Sequence, residues 1–154
     1  MSAPGASGTQ HERAHTEFAE SLEALFTAVL RASGRGVPGG DTELTISQYN
    51  VLSAVGERVA TVTEIAAAAD LAVPTATRSL RALEERGFVR RRRGENGDGR
   101  VVTVSLTPTG SRVLAEKTTW VRARQRAIFD RLSPAERRSA AGLLRVIAED
   151  IHEL

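Results

Sequence analysis

From Arg90 to Thr107 the chain reads RRRRGENGDGRVVTVSLT. Val102, Val104 and Leu106 alternate with Thr103, Ser105 and Thr107, the period of a half-buried strand. Phe88 starts an opposing strand. Gly94, Gly97 and Gly99 between them supply the backbone freedom of a reversal. The segment is therefore a β-hairpin, and it carries five arginines. Unpaired like charge opposes folding unless it serves binding, so the hairpin constrains both fold and purpose.

What precedes the hairpin narrows the fold further. Ser47 is an expected N-cap for a short helix with Tyr49, Val51, Leu52 and Val55 at its apolar positions. Thr63 is the expected cap of a third helix in which Ile65, Ala66 and Ala69 face inward. After a connection at Leu71–Val73, PTATRSLRALEERG forms another helix. Pro74 suits its first turn, Ala76, Leu80 and Leu83 make its buried stripe, and Gly87 stops it. Thr75, Thr77, Arg78 and Arg81 remain on its outer faces. Two short helices joined by a tight turn, the second polar and basic outside, form a helix-turn-helix, and a basic hairpin after it is a wing. The helix would enter the major groove of DNA. The wing tip would reach the minor groove, where narrow A·T-rich DNA attracts arginine.

The flanks are helical. From about His11 to Ala32, Phe18, Leu22, Leu25, Phe26, Val29 and Leu30 recur at helical spacing, ended by SGRGVPGGD. Residues 1–10 are expected to form a disordered arm. A long helix runs from Pro108 to Leu132. Ser133, Pro134 and Glu136 make a capping box that opens a last helix, with Leu143, Leu144, Ile147, Ile151 and Leu154 on one face. The expected organisation is a mainly α (α+β) chain: a lobe over 44–107, and dimerisation helices over 11–43 and 108–154. The central unit is too small to cover three long apolar faces, and an isologous homodimer would cover them.

Charge follows the same division. The chain has 154 residues and a net charge of +2. Residues 1–72 carry 4 basic and 9 acidic side chains, residues 73–100 carry 8 and 4, and residues 101–154 carry 9 and 6. Arginine outnumbers lysine 20 to 1. Arginine's planar fork suits phosphate and guanine, although a genome-wide preference for arginine also lowers lysine. The absence of cysteine excludes disulfides, thiolate metal sites and thiol-based sensing. Few aromatics argue against a stacking surface for single strands. No apolar run approaches a membrane span, and MSAPGASGTQ has no apolar signal core, so a cytoplasmic protein is expected.

In these residues the chain resembles the MarR family of bacterial transcriptional regulators. The resemblance rests on LTISQYNVL, on TEIAAAADLAVPTATRSLRALEERGFVRR and on DGRVVTVSLTPTG, in that order and spacing. It covers about residues 15 to 154 and implies a homodimeric winged helix-turn-helix protein on a pseudo-palindromic double-stranded operator. Such proteins usually repress, and a small aromatic or anionic effector often releases them. Carried over by position, Thr75, Thr77 and Arg78 touch bases or phosphates. Arg100, oriented by Asp98, enters the minor groove, and Arg92 and Arg93 contact phosphate. Ser47 and Thr63 offer hydroxyl and N–H groups to phosphate, or simply cap their helices.

Other patterns have plainer roles beside the functional ones. Phe26, Tyr49 and Trp120 could line an effector pocket in which Arg112 or Arg124 pairs with a carboxylate; core packing and solvation are the plainer readings. His11 and His15, four residues apart, could face one metal, but they sit at a helix start with no cysteine, and no metal or cofactor is assigned. A zinc-responsive regulator and a winged-helix protein-interaction module stay open as alternatives, the second disfavoured by dense like charge. No GxSxG, P-loop or HExxH is present, and an enzyme is not expected.

Overall fold

The computed structural model describes residues 6–33, 35–40, 42–56, 58–93 and 102–152. In order they form α1 (Ala6–Ser33), α2 (Ile46–Val55), β1 (Ala60–Thr61), α3 (Val62–Ala68), α4 (Val73–Glu85), β2 (Val89–Arg93), β3 (Val102–Leu106), α5 (Pro108–Arg131) and α6 (Pro134–His152). The expected winged helix-turn-helix with flanking helices is what the chain adopts. α1 begins inside the segment read as an arm. Ala6–Gln10 add only small and polar side chains, so no apolar period marks that start.

Helix starts differ from expectation at two places, for one reason. α2 is capped by Thr45, not Ser47, and α3 by Thr61, not Thr63. In each case the true cap has Gln48 or Glu64 three residues on, whose side chain returns to the cap's own N–H. Ser47 and Thr63 have Asn50 and Ala66 at that distance and cannot close the box. Ser133 has Glu136, and both of its reciprocal bonds form, at 2.7 and 3.3 Å.

The turn between α3 and α4 is tight. Asp70 adopts φ 53°, a left-handed conformation that Asp tolerates better than most residues, and Leu71 N–H donates to the Ala66 carbonyl at 2.9 Å. α4 ends at Gly87, whose φ of 73° reverses the chain into β2. The hairpin pairs Val89 with Leu106 and Arg93 with Val102. β1, too short to leave an alternating pattern, adds to the far side of β3 and makes the order β1-β3-β2.

One core fills this lobe. Val51, Leu52 and Val55 of α2 meet Ile65 of α3, Leu80 and Leu83 of α4, and Val104 of β3. Leu44 joins it through a bridge to Val37 that ties down the loop before α2. Val113 brings in the first turns of α5. Beyond Lys117, α5 buries nothing, and α1 and α6 bury nothing along their described lengths. Phe18, Leu25, Val29 and Leu30 of α1, Ile128 and Phe129 of α5, and Leu143, Leu144 and Val146 of α6 are exposed.

Candidate nucleic-acid interface

α4 is placed by its apolar stripe and a polar tether. Ala76, Leu80 and Leu83 are buried, which turns Thr77, Arg78 and Arg81 outward. On the buried side Ser79 meets the Ser47 hydroxyl at 3.0 Å. Ser47 therefore joins α2 to α4. Thr63 is exposed as the second residue of α3, ahead of the buried Ile65.

The outward face of α4 has groups able to bind. Thr77 Oγ1 donates to the Val73 carbonyl at 2.8 Å, which leaves its lone pairs free to accept. Arg81 pairs with Glu85 at 3.0 Å in full solvent, a weak contact that a competing phosphate can replace. Arg78, one turn before the pair, makes no such contact among the described residues. Glu85 is thus engaged by Arg81 on its own helix.

The arginine run divides by strand alternation. Arg90 Nε donates to Ser105 Oγ at 3.2 Å across the hairpin. Arg92 and Arg93 are exposed. Arg91 turns toward α4, where Nε lies 3.2 Å from Glu84 Oε2. Asp98 and Arg100, the expected minor-groove pair, fall outside the described residues.

The LTPTG segment joins the wing to α5. Thr107 caps α5 by accepting from Gly110 N–H at 3.0 Å, and its hydroxyl donates to the Gly87 carbonyl at 2.6 Å. Gly110 lies so close to the Phe88 carbonyl that a Cβ there would overlap it. The glycine is required by this contact, because β2 begins directly under the first turn of α5.

The residues read as an effector group are spread over several surfaces. Tyr49 lines a hollow between α2 and α3 with Asn50, Ser53, Arg58 and Asp70. Trp120 stands over Gly39, and Arg112 pairs with Glu116 at 2.8 Å. Phe26 and Arg124 are exposed on α1 and α5. His11 and His15 are exposed on α1, and the described residues hold no cluster of three metal-ligating side chains.

Sequence reasoning missed Lys117. The chain's one lysine is 1% exposed, and its Nζ donates to the Gly39 carbonyl. Burial pushes its pKa below the ordinary lysine value; Glu116 pulls it up, Arg86 pushes it down and Glu43 pulls it up. Lysine fits here because a buried ammonium can release its proton, which guanidinium does not. With Trp120 over Gly39, this bond fixes α5 to the loop before α2. The signal was the lysine itself, alone among 20 arginines.

Residues 42–100 match the family model described as the MarR family. Among curated proteins, none matches the chain. The fold is similar to Streptococcus pneumoniae FabT in complex with DNA, at TM-score 0.74 and 21% identity over 90% of this chain and 98% of that one. It is similar to Lactococcus lactis ZitR, a zinc-responsive MarR family member, at 0.64 and 20% over 87% and 99%. Bordetella bronchiseptica BpsR, whose DNA binding is regulated by 6-hydroxynicotinic acid, gives 0.67 and 23% over 86% and 98%. The family match falls on the helix-turn-helix and β2, where exposed arginines lie, and the fold shared with these structures extends through the terminal helices.

Proposed function

We propose that the protein is a sequence-specific, DNA-binding transcriptional regulator, a homodimeric repressor of a pseudo-palindromic operator, and not an enzyme. The observation that carries this reading is the exposure of polar and basic side chains on both α4 and the adjoining β2. There Thr77, Arg78, Arg92 and Arg93 are exposed on elements fixed to one core. Thr75, Thr77 and Arg78 would read the major groove, and Arg92 and Arg93 would hold the phosphates. Arg100, held by Asp98, would enter the minor groove.

The dimer would be built from α1, α5 and α6. Their exposed apolar side chains have no cover among the described residues, and a second copy would supply it. Such a dimer sets two α4 helices roughly one DNA turn, about 34 Å, apart. A small aromatic or anionic molecule is the effector class we propose. The site of action would be the cytoplasm; no described helix is long and apolar enough to cross a membrane.

The test is fluorescence anisotropy with DNA from upstream of the protein's own gene and with a scrambled duplex, at two salt concentrations. Preference for the upstream DNA at the higher salt supports the reading. Equal, salt-erased binding to both contradicts it. Arg78→Ala should weaken binding, alter base preference and lower the salt slope by about one counterion unit.

A further inference from the structure

Of the four consecutive arginines, Arg91 does not face outward. Its partner across the hairpin is Val104, which is fully buried. Its side chain is 26% exposed and lies against α4. Nε is closed off from solvent, without hydrogen-bond geometry to any neighbour, and its nearest charge is Glu84 Oε2 at 3.2 Å. The far end of the guanidinium reaches the Thr77 carbonyl, with Nη2 at 3.4 Å. Thr77 and Glu84 are seven residues apart, two helical turns on one face. One side chain from the wing therefore touches α4 at two points along its axis. Two such points fix both the spacing of α4 from β2 and the roll of α4 about its axis.

Glu84 is the second half of the argument. An acid beside a DNA-binding face repels phosphate and lowers affinity if it does nothing else. Here it holds the one arginine of the run that turns inward. The Thr77 that Arg91 touches through its carbonyl also presents an outward hydroxyl. The roll of α4 sets where that hydroxyl and Arg78 point.

We propose that Arg91 is a positioning residue for DNA recognition. With Glu84 and the Thr77 carbonyl it locks wing and recognition helix into one body, so that base reading and phosphate contact keep a fixed relation. This rests on the regulator reading above. Arg91 touches no DNA in this scheme, and its effect passes through α4.

The experiment uses the full-length parent, Arg91→Gln, Arg91→Lys, Glu84→Gln and the double Arg91→Gln/Glu84→Gln. The probe is the duplex that the parent selects from a random double-stranded library, read against a scrambled duplex across a salt series. Circular dichroism checks that each variant folds. Each single variant should lose operator preference by about fivefold, and the double should lose no more than either single, as expected of coupled partners. The salt slope should stay at the parent value in Arg91→Gln, and Arg91→Lys should not rescue. Glu84→Gln is decisive, because removing an acid here should tighten binding unless the acid positions Arg91. In the free protein, amide exchange in β2 and β3 should quicken in both Gln variants.

Tighter binding by Glu84→Gln, or a slope lowered by about one unit in Arg91→Gln, overturns the proposal and makes Arg91 a phosphate contact. Parent-like preference or exchange in the variants overturns it as well. A parent with no preference for any duplex brings down the regulator reading, and this role with it. A selective parent with unaffected variants brings down this inference alone.

Discussion

The Ser47 and Ser79 hydroxyls meet at 3.0 Å, a polar tie between the first turn of α2 and the buried side of α4. Ser79 is 9% exposed, so its hydroxyl has little access to water as a substitute. Ser79→Ala should lower stability by about 1 kcal/mol, the usual worth of such a bond. Ser47→Ala should cost a similar amount, with the double variant less than additive. Urea denaturation checks all three. A Ser47 variant with parental stability and weaker DNA binding would instead make that hydroxyl a phosphate contact.

Gly110 tolerates no side chain. Its α-carbon sits against the Phe88 carbonyl, and backbone cannot yield as a flexible side chain would. Gly110→Ala should cost at least about 2 kcal/mol through overpacking. Gly142 on α6 has open space around it, and Gly142→Ala should be neutral or stabilising, by up to about 1 kcal/mol. Thermal unfolding of the two variants side by side separates steric from propensity effects.

The pH dependence of stability has two limbs. Glu64 accepts from the Thr61 N–H and hydroxyl, and Glu136 from the Ser133 hydroxyl and N–H, which holds both carboxyls below the ordinary value of 4.5. A carboxyl with a lowered folded pKa stabilises the fold fully above its unfolded value. That contribution is lost as pH falls through the folded pKa. Glu64→Gln with Glu136→Gln keeps the box oxygens and should flatten the acid limb. Lys117 works at the other end. Its folded pKa lies below 10.5, so the unfolded chain holds the extra proton between the two values, and stability rises with pH through that window. Lys117→Met should abolish the alkaline rise. Denaturant titrations between about pH 3 and pH 10.5 read both limbs.

The exposed faces of the terminal helices predict an obligate second copy. Ile147→Asp with Ile151→Asp puts two charges on the apolar side of α6. Sedimentation should show monomers or unfolded chain, and operator binding should disappear. A folded dimer from this double variant would place the interface elsewhere.

Legibility followed the physics of each signal. The stripe Ala76, Leu80, Leu83 and the alternation Val102, Val104, Leu106 are periodic, and both elements were placed from them. The box at Ser133 is legible through Glu136, three residues on. The same spacing at Thr45–Gln48 and Thr61–Glu64 marks the true caps of α2 and α3. β1 and the Val37–Leu44 bridge depend on partners distant in sequence, and two residues leave no period. The candidate DNA face was legible as composition, four arginines in a row. Alternation from the buried Val89 puts Arg91 and Arg93 on the inner face; Arg93 at the strand end stays exposed, and Arg91 meets a glutamate two turns beyond Thr77. Lys117 was hidden because a lysine in an α-helix ordinarily reads as solvated surface.

The buried lysine also makes the chain a reporter of its own opening. A protease that cuts only after lysine has a single target here, Lys117, and the native fold hides it. Cleavage must wait until α5 parts from the loop at Gly39, so the digestion rate reads how often that junction separates. Anything that clamps the two halves together would appear as protection of one peptide bond, with no label attached to the protein.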